Sequence, residues 1–128
     1  MNSRERVQAT LEHRQPDRVP IDFGATTVTG ISASAVYKLR VALGLHRPGE
    51  RVKVIEPYQV LGEVDDALAA RLGVDCVELG ARKTLFGFAN EGWKPWTLHD
   101  GTPVWVPEAF NTTPEPNGDI LMYPEGDR

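Results

Sequence analysis

The chain has 128 residues, of which 41% are hydrophobic and 25% are charged, a composition typical of one globular domain. Its net charge of −4, without a basic block, argues against a nucleic-acid partner, and no apolar run is long enough to cross a membrane. The polar N-terminus is unlike a signal peptide and Cys76 is the only cysteine, so we expect a cytoplasmic protein without an internal disulfide.

A helix is predicted at the N-terminus. Asn2 or Ser3 can cap it, because both side chains accept hydrogen bonds from the free N–H groups of a first turn. The helix is expected to run to about Arg14, since a proline two residues later stops it. Val7 and Leu11 are one turn apart and are expected to face inward.

The next predicted elements are a short strand at residues 19–23, a loop at 24–31 and a second helix at 33–44. The loop is rich in Gly, Ala and Thr. The helix carries an apolar stripe at helical spacing, formed by Val36, Leu39 and Leu43.

Residues 51–55, 58–73 and 74–79 predict a strand, a third helix and another strand. The helix has the strongest periodicity in the chain, with apolar residues every four positions at Val60, Val64, Leu68 and Leu72. This order is typical of a parallel βαβ unit, and one such unit cannot cover both faces of its sheet.

The last third of the chain is rich in turns. Residues 93–98 and 102–106 flank a Gly-bearing turn and predict a hairpin, and a final short strand is predicted at 119–123. We therefore expect βα units in residues 1–80 and an antiparallel β meander in residues 81–128.

Several short motifs follow one another in a defined order. They are an arginine-rich opening helix, Asp17-Arg18-Val19-Pro20, Tyr37 with Leu39-Arg40, Leu43-Gly44-Leu45 and Leu72-Gly73-Val74-Asp75. In this order they resemble the N-terminal portion of the uroporphyrinogen decarboxylase superfamily, most closely its branch of decarboxylase-like proteins and cobalamin-linked methyltransferases. Residues 92–128 resemble an inserted meander of that branch.

The resemblance implies an α/β fold that is part of a (β/α)8 barrel, with the first βα units followed by the meander. Members of this family exceed 300 residues, so the resemblance implies a truncated chain that supplies only the front of the barrel. The last residues, 125–128, contain no terminating element. A small complete α+β domain is the alternative.

The resemblance also implies an activity, with two departures from the haem-pathway enzyme. That enzyme has an arginine-rich segment after its first strand, which suits carboxylate recognition, whereas residues 24–30 contain no arginine. It also has an aspartate after the next strand, whereas Gly80-Ala81-Arg82 stands there. Corrinoid-linked methyl transfer or another decarboxylation is therefore expected of the parent enzyme, which would act on a small molecule or a corrinoid-protein partner.

The methyltransferase branch uses a zinc ion bound by a His-x-Cys pair and a distant cysteine, and the ion lowers the pKa of a thiol. Here His13, His46 and His99 are scattered, and Cys76 has no His or Cys within four residues. We expect no catalytic residue, metal ligand or cofactor site in this chain, and no activity from it alone. Zinc and a corrinoid would belong to a full-length parent.

Substrate-binding candidates lie where the first strand ends, because barrel enzymes build their active sites there. Asp22 is at that end, and the backbone N–H groups of the following loop could hold an anionic group. The candidates are Asp22, Gly24, Thr26, Thr27 and Gly30. The alternatives are a carboxylate bonded to loop amides and a flexible loop with threonine caps.

Ordinary structural roles are favoured for four other residues. Arg40 is expected to be solvated, Glu56 to stand at a helix N-terminus, Glu78 to face outward and Cys76 to be a small buried hydrophobe. The Asp65-Asp66 pair is expected to be solvated.

Three tryptophans, Trp93, Trp96 and Trp105, lie on the predicted hairpin and favour a cross-strand cluster. The alternative function is a non-catalytic domain that binds a partner through this hairpin. A barrel fragment would instead self-associate through exposed apolar surface.

Overall fold

Three helices and six short strands lie along residues 1–125, the part of the chain that the computed structural model describes. The helices are α1 (Ser3–Leu11), α2 (Ala33–Ala42) and α3 (Asp66–Leu72). The strands are β1 (Val52–Glu56), β2 (Leu61–Gly62), β3 (Lys94–Thr97), β4 (Pro103–Val106), β5 (Thr112–Pro114) and β6 (Ile120–Met122). The chain end predicted to lack a terminating element lies largely outside the described residues.

Helix α1 begins as predicted and ends earlier. Asn2 accepts a hydrogen bond from the Glu5 N–H at 2.9 Å, and Glu5 accepts one from the Asn2 N–H, which completes a capping box. The inward orientation predicted for Leu11 is wrong, since its side chain is 75% exposed. Arg6 and Ala9 are buried instead, because α1 packs through an ion-pair cluster.

The prediction of one long third helix is wrong. Only α3 is helical, and Asp65 caps it by accepting a hydrogen bond from the Leu68 N–H. The preceding residues form a turn and β2, which pairs antiparallel with β1. Leu68 is fully buried, and the other members of its periodic set (Val60, Val64 and Leu72) pack against the same core. The four-residue spacing therefore predicts correctly which side chains face the core, but it overestimates the length of the helix.

The main sheet has the order β2-β1-β4-β3. The predicted hairpin is confirmed by the antiparallel β3–β4 pair. Strand β1 runs parallel to β4, with Val52 opposite Val104 and Lys53 opposite Trp105. The parallel partner predicted at residues 74–79 is therefore wrong, and the sheet joins strands from both sides of residue 80. Strands β5 and β6 form a separate pair.

Two predicted strands, at 19–23 and 74–79, lack strand pairing in the structure. They are nevertheless neighbours, because the Asp75 N–H donates to the Ile21 carbonyl at 2.8 Å. The described residues therefore form a mixed α/β fold with three helices and small sheets, and residues 1–125 contain no closed barrel.

The core lies between α2, α3 and one face of the main sheet. Its largest fully buried side chains include Leu68, Val36, Val54 and Val104. Alternate residues of β1, among them Lys53 and Ile55, are only half-buried and form the opposite face. Within the described part of the chain, no helix has the length and hydrophobicity required to cross a membrane.

Candidate functional site

A cavity of about 260 Å³ lies at the carboxyl end of β1. Its walls come from the 24–30 loop, the turn between β1 and β2, and residues 78–90. Its lining residues with polar side chains include Thr27, Glu56, Gln59, Glu78, Thr84 and Asn90. A second cavity, between Glu91, Glu108 and Asn111, is more open to solvent.

Glu56 shapes the turn at the rim of this cavity. It is the last residue of β1 and is buried. One carboxylate oxygen accepts from the Tyr58 N–H at 3.0 Å and the other from the Gln59 N–H at 2.7 Å. Glu56 therefore caps a turn, whereas a helix N-terminus had been predicted.

Val60 ends this turn with φ of 56°. A positive φ is rare for a β-branched residue, since its side chain crowds the backbone. Such strained residues persist where surrounding structure holds them, often beside a binding site. Here the Val60 carbonyl accepts from the Ala33 N–H at 2.8 Å, so the start of α2 holds the turn in place.

Two buried polar atoms in the cavity wall have no partner among the described residues: Asn90 Oδ1 and Thr84 Oγ1. Asn90 Nδ2 donates to the Ile55 carbonyl at 2.7 Å, which fixes the amide and leaves Oδ1 as the open acceptor. Burial of an unpaired polar group is unfavourable, so each such group in a native structure needs an explanation.

The cavity carries more negative than positive charge. Glu56 and Glu78 line it, and Lys83 is the cation among its lining residues. Partial burial, and then the nearby carboxylate of Glu63, raise the pKa of Glu78 above its ordinary value. A cation near Glu78 would favour the charged form of its carboxyl group and so act against this rise in pKa. Glu78 faces outward, as predicted, because its side chain is exposed. Its surroundings nevertheless shift its pKa.

The loop at residues 24–30, predicted to bind substrate, is held in shape by hydrogen bonds among its own residues and Asp22. Asp22 Oδ1 accepts from the Ala25 N–H at 3.3 Å and from Thr29 Oγ1 at 3.1 Å. The Gly24 N–H donates to the Thr29 carbonyl, and the Thr26 N–H donates to Thr29 Oγ1. Asp22 is thus bonded to loop groups, and the N–H groups of Gly24, Ala25 and Thr26 already have acceptors within the loop.

The five predicted binding residues are only partly brought together. Thr27 lines the cavity, and its carbonyl accepts from Gln59 Nε2 at 3.4 Å. Gly24 and Gly30 serve packing. A Cβ at Gly24, whose φ is 87°, would lie 2.5 Å from Val64 Cγ2, and one at Gly30 would lie 3.0 Å from Leu61 Cδ1. Thr26 and Asp22 stabilise the loop, and substrate binding by these residues stays a prediction.

Three of the short sequence motifs contact one another through Asp75 and Arg6. Asp75 has no exposed side-chain surface and accepts hydrogen bonds from Arg6, Arg18 and the Ile21 N–H. Arg6 also pairs with Asp17 at 2.7 Å. The opening helix, the Asp17-Arg18 motif and the Gly73–Asp75 motif therefore form one ion-pair cluster.

This cluster holds its carboxylates ionised. Burial opposes the charged form of Asp75, but hydrogen bonds from the Ile21 N–H, Ser3, Arg18 and Arg6 outweigh it and keep the pKa of Asp75 well below its ordinary range. Hydrogen bonds from Arg6, and next from the N-terminal ammonium group, likewise lower the pKa of Asp17 against the effect of burial. The cluster therefore stabilises the fold.

A second cluster overturns the solvated role predicted for Arg40, whereas Asp65, its partner, keeps a side chain that is 41% exposed. Arg40 is buried, pairs with the cap residue Asp65 and with Glu50, and donates to the Leu45 carbonyl. The ring of Tyr37 packs edge-on against His46 at 4.7 Å. These contacts join α2, the following loop and α3. Asp66 is exposed, as predicted.

The described residues do not fit a zinc site. No group of three or more His, Cys, Asp or Glu side chains within residues 1–125 is arranged to hold a metal ion. Burial, and then the charges of Asp22 and Asp75, raise the pKa of the Cys76 thiol, which disfavours the thiolate that metals and nucleophilic chemistry require. Cys76 is partly buried.

The tryptophans do not form the predicted cross-strand cluster. Trp96 packs on Phe110 with ring centres 5.7 Å apart. All three rings also lie beside cations. Lys94 Nζ is 5.4 Å from the Trp96 ring, Lys53 Nζ is 5.2 Å from the Trp93 ring and the Arg51 guanidinium is 5.9 Å from the Trp105 ring. Cation–π contacts on the half-buried sheet face replace ring–ring contacts there.

No sequence pattern indicates a functional role for Asn90 or Thr84. They lie in a turn-rich segment without periodicity, and a single Asn or Thr in such a segment normally serves the turn itself. Only the tertiary structure shows that they meet at one cavity. Comparison of the chain with protein-family models, with curated proteins and with solved structures finds no match.

Proposed function

We propose that this chain forms the front part of a uroporphyrinogen decarboxylase-like (β/α)8 enzyme, inactive by itself, from the decarboxylase-like or cobalamin-linked methyltransferase branch. One observation carries the proposal. The two segments that resemble barrel strands, 19–23 and 74–79, lie side by side but expose their apolar side chains. Val19, Val77 and Leu79 are 79%, 80% and 94% exposed. Apolar strand-like segments are normally covered in parallel sheets.

The ion-pair clusters support the same proposal. Arg6 of α1, Arg18 and Asp75 hold α1 beside these two segments, and the Arg40–Asp65 pair joins α2 to α3. The cavity adds support, because it lies where β1 ends, and active sites of barrel enzymes lie at the carboxyl ends of strands.

The chemistry of the parent enzyme would come from sequence outside this chain. Zinc, if used, requires several His or Cys ligands close together, and residues 1–125 contain no such group. A corrinoid would likewise belong to the full-length parent. The reacting partner would be a small molecule or a corrinoid protein. The single free cysteine suits a reducing, cytoplasmic setting.

The proposal is tested on the purified 128-residue chain. We expect no methyl transfer from methylcobalamin to a thiol and no decarboxylation of a porphyrinogen. We also expect a hydrophobic dye to bind and the sedimentation coefficient to rise with protein concentration, because exposed apolar segments seek cover. Measured turnover by the chain, or a dye-free monomer at all concentrations, would contradict the proposal.

A second candidate function is a partner-binding domain, and the open face of the main sheet favours it. Trp93 and Trp105 lie there beside Lys53 and Arg51, half-buried and without a covering helix among the described residues. Aromatic and arginine side chains are enriched in binding hot spots. A sharp, cooperative melt together with a monomer in solution would favour this candidate over the barrel fragment.

A further inference from the structure

We propose that the cavity at the carboxyl end of β1 binds a small ligand that joins a cationic N–H donor group, such as a primary ammonium or an amidinium, to an apolar body. The inference concerns the isolated chain and does not depend on the enzyme assignment. It rests on the unpaired polar atoms, the charge and the shape of the cavity.

The unpaired atoms indicate a donor. Asn90 Oδ1 can only accept, because Asn90 Nδ2 is already committed to the Ile55 carbonyl. Thr84 Oγ1 can accept or donate. The Thr84 backbone is also fixed, since its N–H donates to the Phe88 carbonyl at 2.7 Å and its carbonyl accepts from the Gly87 N–H. Two residues of the cavity wall therefore each keep one polar atom without a partner, which a ligand with N–H or O–H groups would supply.

The charge indicates a cation. Two carboxylates, Glu56 and Glu78, face one cation, Lys83, around the cavity, and Glu63 lies close to Glu78. A cationic donor gains from charge-assisted hydrogen bonds that a neutral ligand cannot form. An anionic ligand of the same size would meet repulsion from these carboxylates.

The remaining wall indicates an apolar body. Ile55, Tyr58 and Leu85 line the cavity on this side, and the Phe86 ring lies 6.1 Å from the Tyr58 ring. Tyr58 and Leu85 are largely exposed as the chain stands, so an apolar ligand would reduce their contact with water. The volume of about 260 Å³ is near the lower end for ligand sites and suits a small molecule.

Three probes of similar shape separate these causes: benzylammonium, benzyl alcohol and benzoate. Binding is followed by NMR titration of the Asn90 side-chain amide at neutral pH. We expect benzylammonium to bind about tenfold more tightly than benzyl alcohol, the difference that one charge-assisted hydrogen bond provides. Benzoate should produce no saturable shift. Equal affinities, or no binding of benzylammonium at millimolar concentrations, would overturn the proposal and leave ordered water as the partner of Asn90 and Thr84.

Variants assign the effect to the cavity. Glu78→Gln keeps the shape, removes the charge, and should weaken benzylammonium binding about tenfold. Asp66→Asn, at an exposed acid on α3 that lines neither cavity, is the control and should leave binding unchanged. Thr84→Val should weaken binding without lowering the melting temperature, because it removes a buried hydroxyl that has no partner in the chain. An unchanged affinity in Glu78→Gln would overturn the proposal, whatever the outcome of the self-association measurements.

Discussion

Asp75 shows how one side chain can connect distant parts of this chain. It accepts hydrogen bonds from α1 through Arg6, from the Asp17-Arg18 motif and from the backbone at Ile21. Arg6 is correspondingly buried despite its charge. A buried charge persists only when it is paired and hydrogen-bonded, and here both partners satisfy that condition.

The depressed pKa of Asp75 predicts loss of stability in acid. A carboxylate with a lower pKa in the folded than in the unfolded chain stabilises the fold above the unfolded value, and this contribution disappears as the pH falls through the folded pKa. The free energy of unfolding should therefore decline below about pH 4, near the ordinary value of 3.8. Asp75→Asn should lower it at pH 7 and reduce the acid slope, measured by urea denaturation across pH.

Asp66→Asn is the matched control for this measurement, because Asp66 is exposed on the first turn of α3. Its effect should stay within about 0.5 kcal/mol at pH 7. The cluster would have no stabilising role if Asp75→Asn kept the wild-type stability at pH 7 and the wild-type acid slope.

At the scale of elements, close approach of backbones decides where β2 and α2 meet. A Cβ at Gly62 would lie 2.8 Å from Ala33 Cα and 2.9 Å from Val36 Cγ2. The Gly62 N–H also donates to the Ile31 carbonyl at 3.0 Å, which ties β2 to the chain entering α2. The backbones of β2 and α2 therefore approach too closely at Gly62 to leave space for a side chain.

Gly62→Ala should destabilise the protein by about 1 to 3 kcal/mol, because the added methyl group overpacks the contact between β2 and α2. Gly80→Ala is the matched control, since a Cβ there meets only Glu78 Oε1, at 4.0 Å. The control should change the free energy of unfolding by no more than about 0.5 kcal/mol. Equal effects of the two substitutions on the free energy of unfolding, measured by chemical denaturation, would show that the close contact at Gly62 does not limit the packing of β2 on α2.

At the scale of the whole molecule, the sheet crosses the boundary expected at residue 80. Strand β1 gains its parallel partner from β4, fifty residues further along the chain, and residues 74–79 are displaced to the side. The core is therefore closed by the meander on one side. Val77 and Leu79 of segment 74–79 stay outside this core. Their exposure is the main support for the proposed barrel assignment.

Replacement of exposed apolar residues in segment 74–79 should change self-association without changing the free energy of unfolding. The double variant Val77→Ser and Leu79→Ser should reduce dye binding and self-association, while the free energy of unfolding changes by no more than about 0.5 kcal/mol, because both side chains are already exposed. Leu11→Ser alters an exposed apolar residue on α1 and should leave self-association unchanged. A large loss of stability in the double variant would show that 74–79 is packed in solution.

The sequence by itself determined the local features, whose causes lie within a few residues. The cap of α1 at Asn2, the apolar stripe of Val36, Leu39 and Leu43 on α2, and the hairpin between β3 and β4 all follow from side-chain chemistry near each position. The five substrate-binding candidates also came from the sequence, and of these Thr27 lines the cavity.

Only the tertiary structure decided which distant residues meet. The parallel pairing of β1 with β4, the burial of Arg40 and Asp75, and the convergence of Glu78, Thr84 and Asn90 depend on contacts between residues far apart in the chain. Periodicity and propensity indicate whether a residue tends to be buried and which secondary structure it favours. They do not report which partner supplies the surroundings, because that choice minimises the free energy of the whole chain.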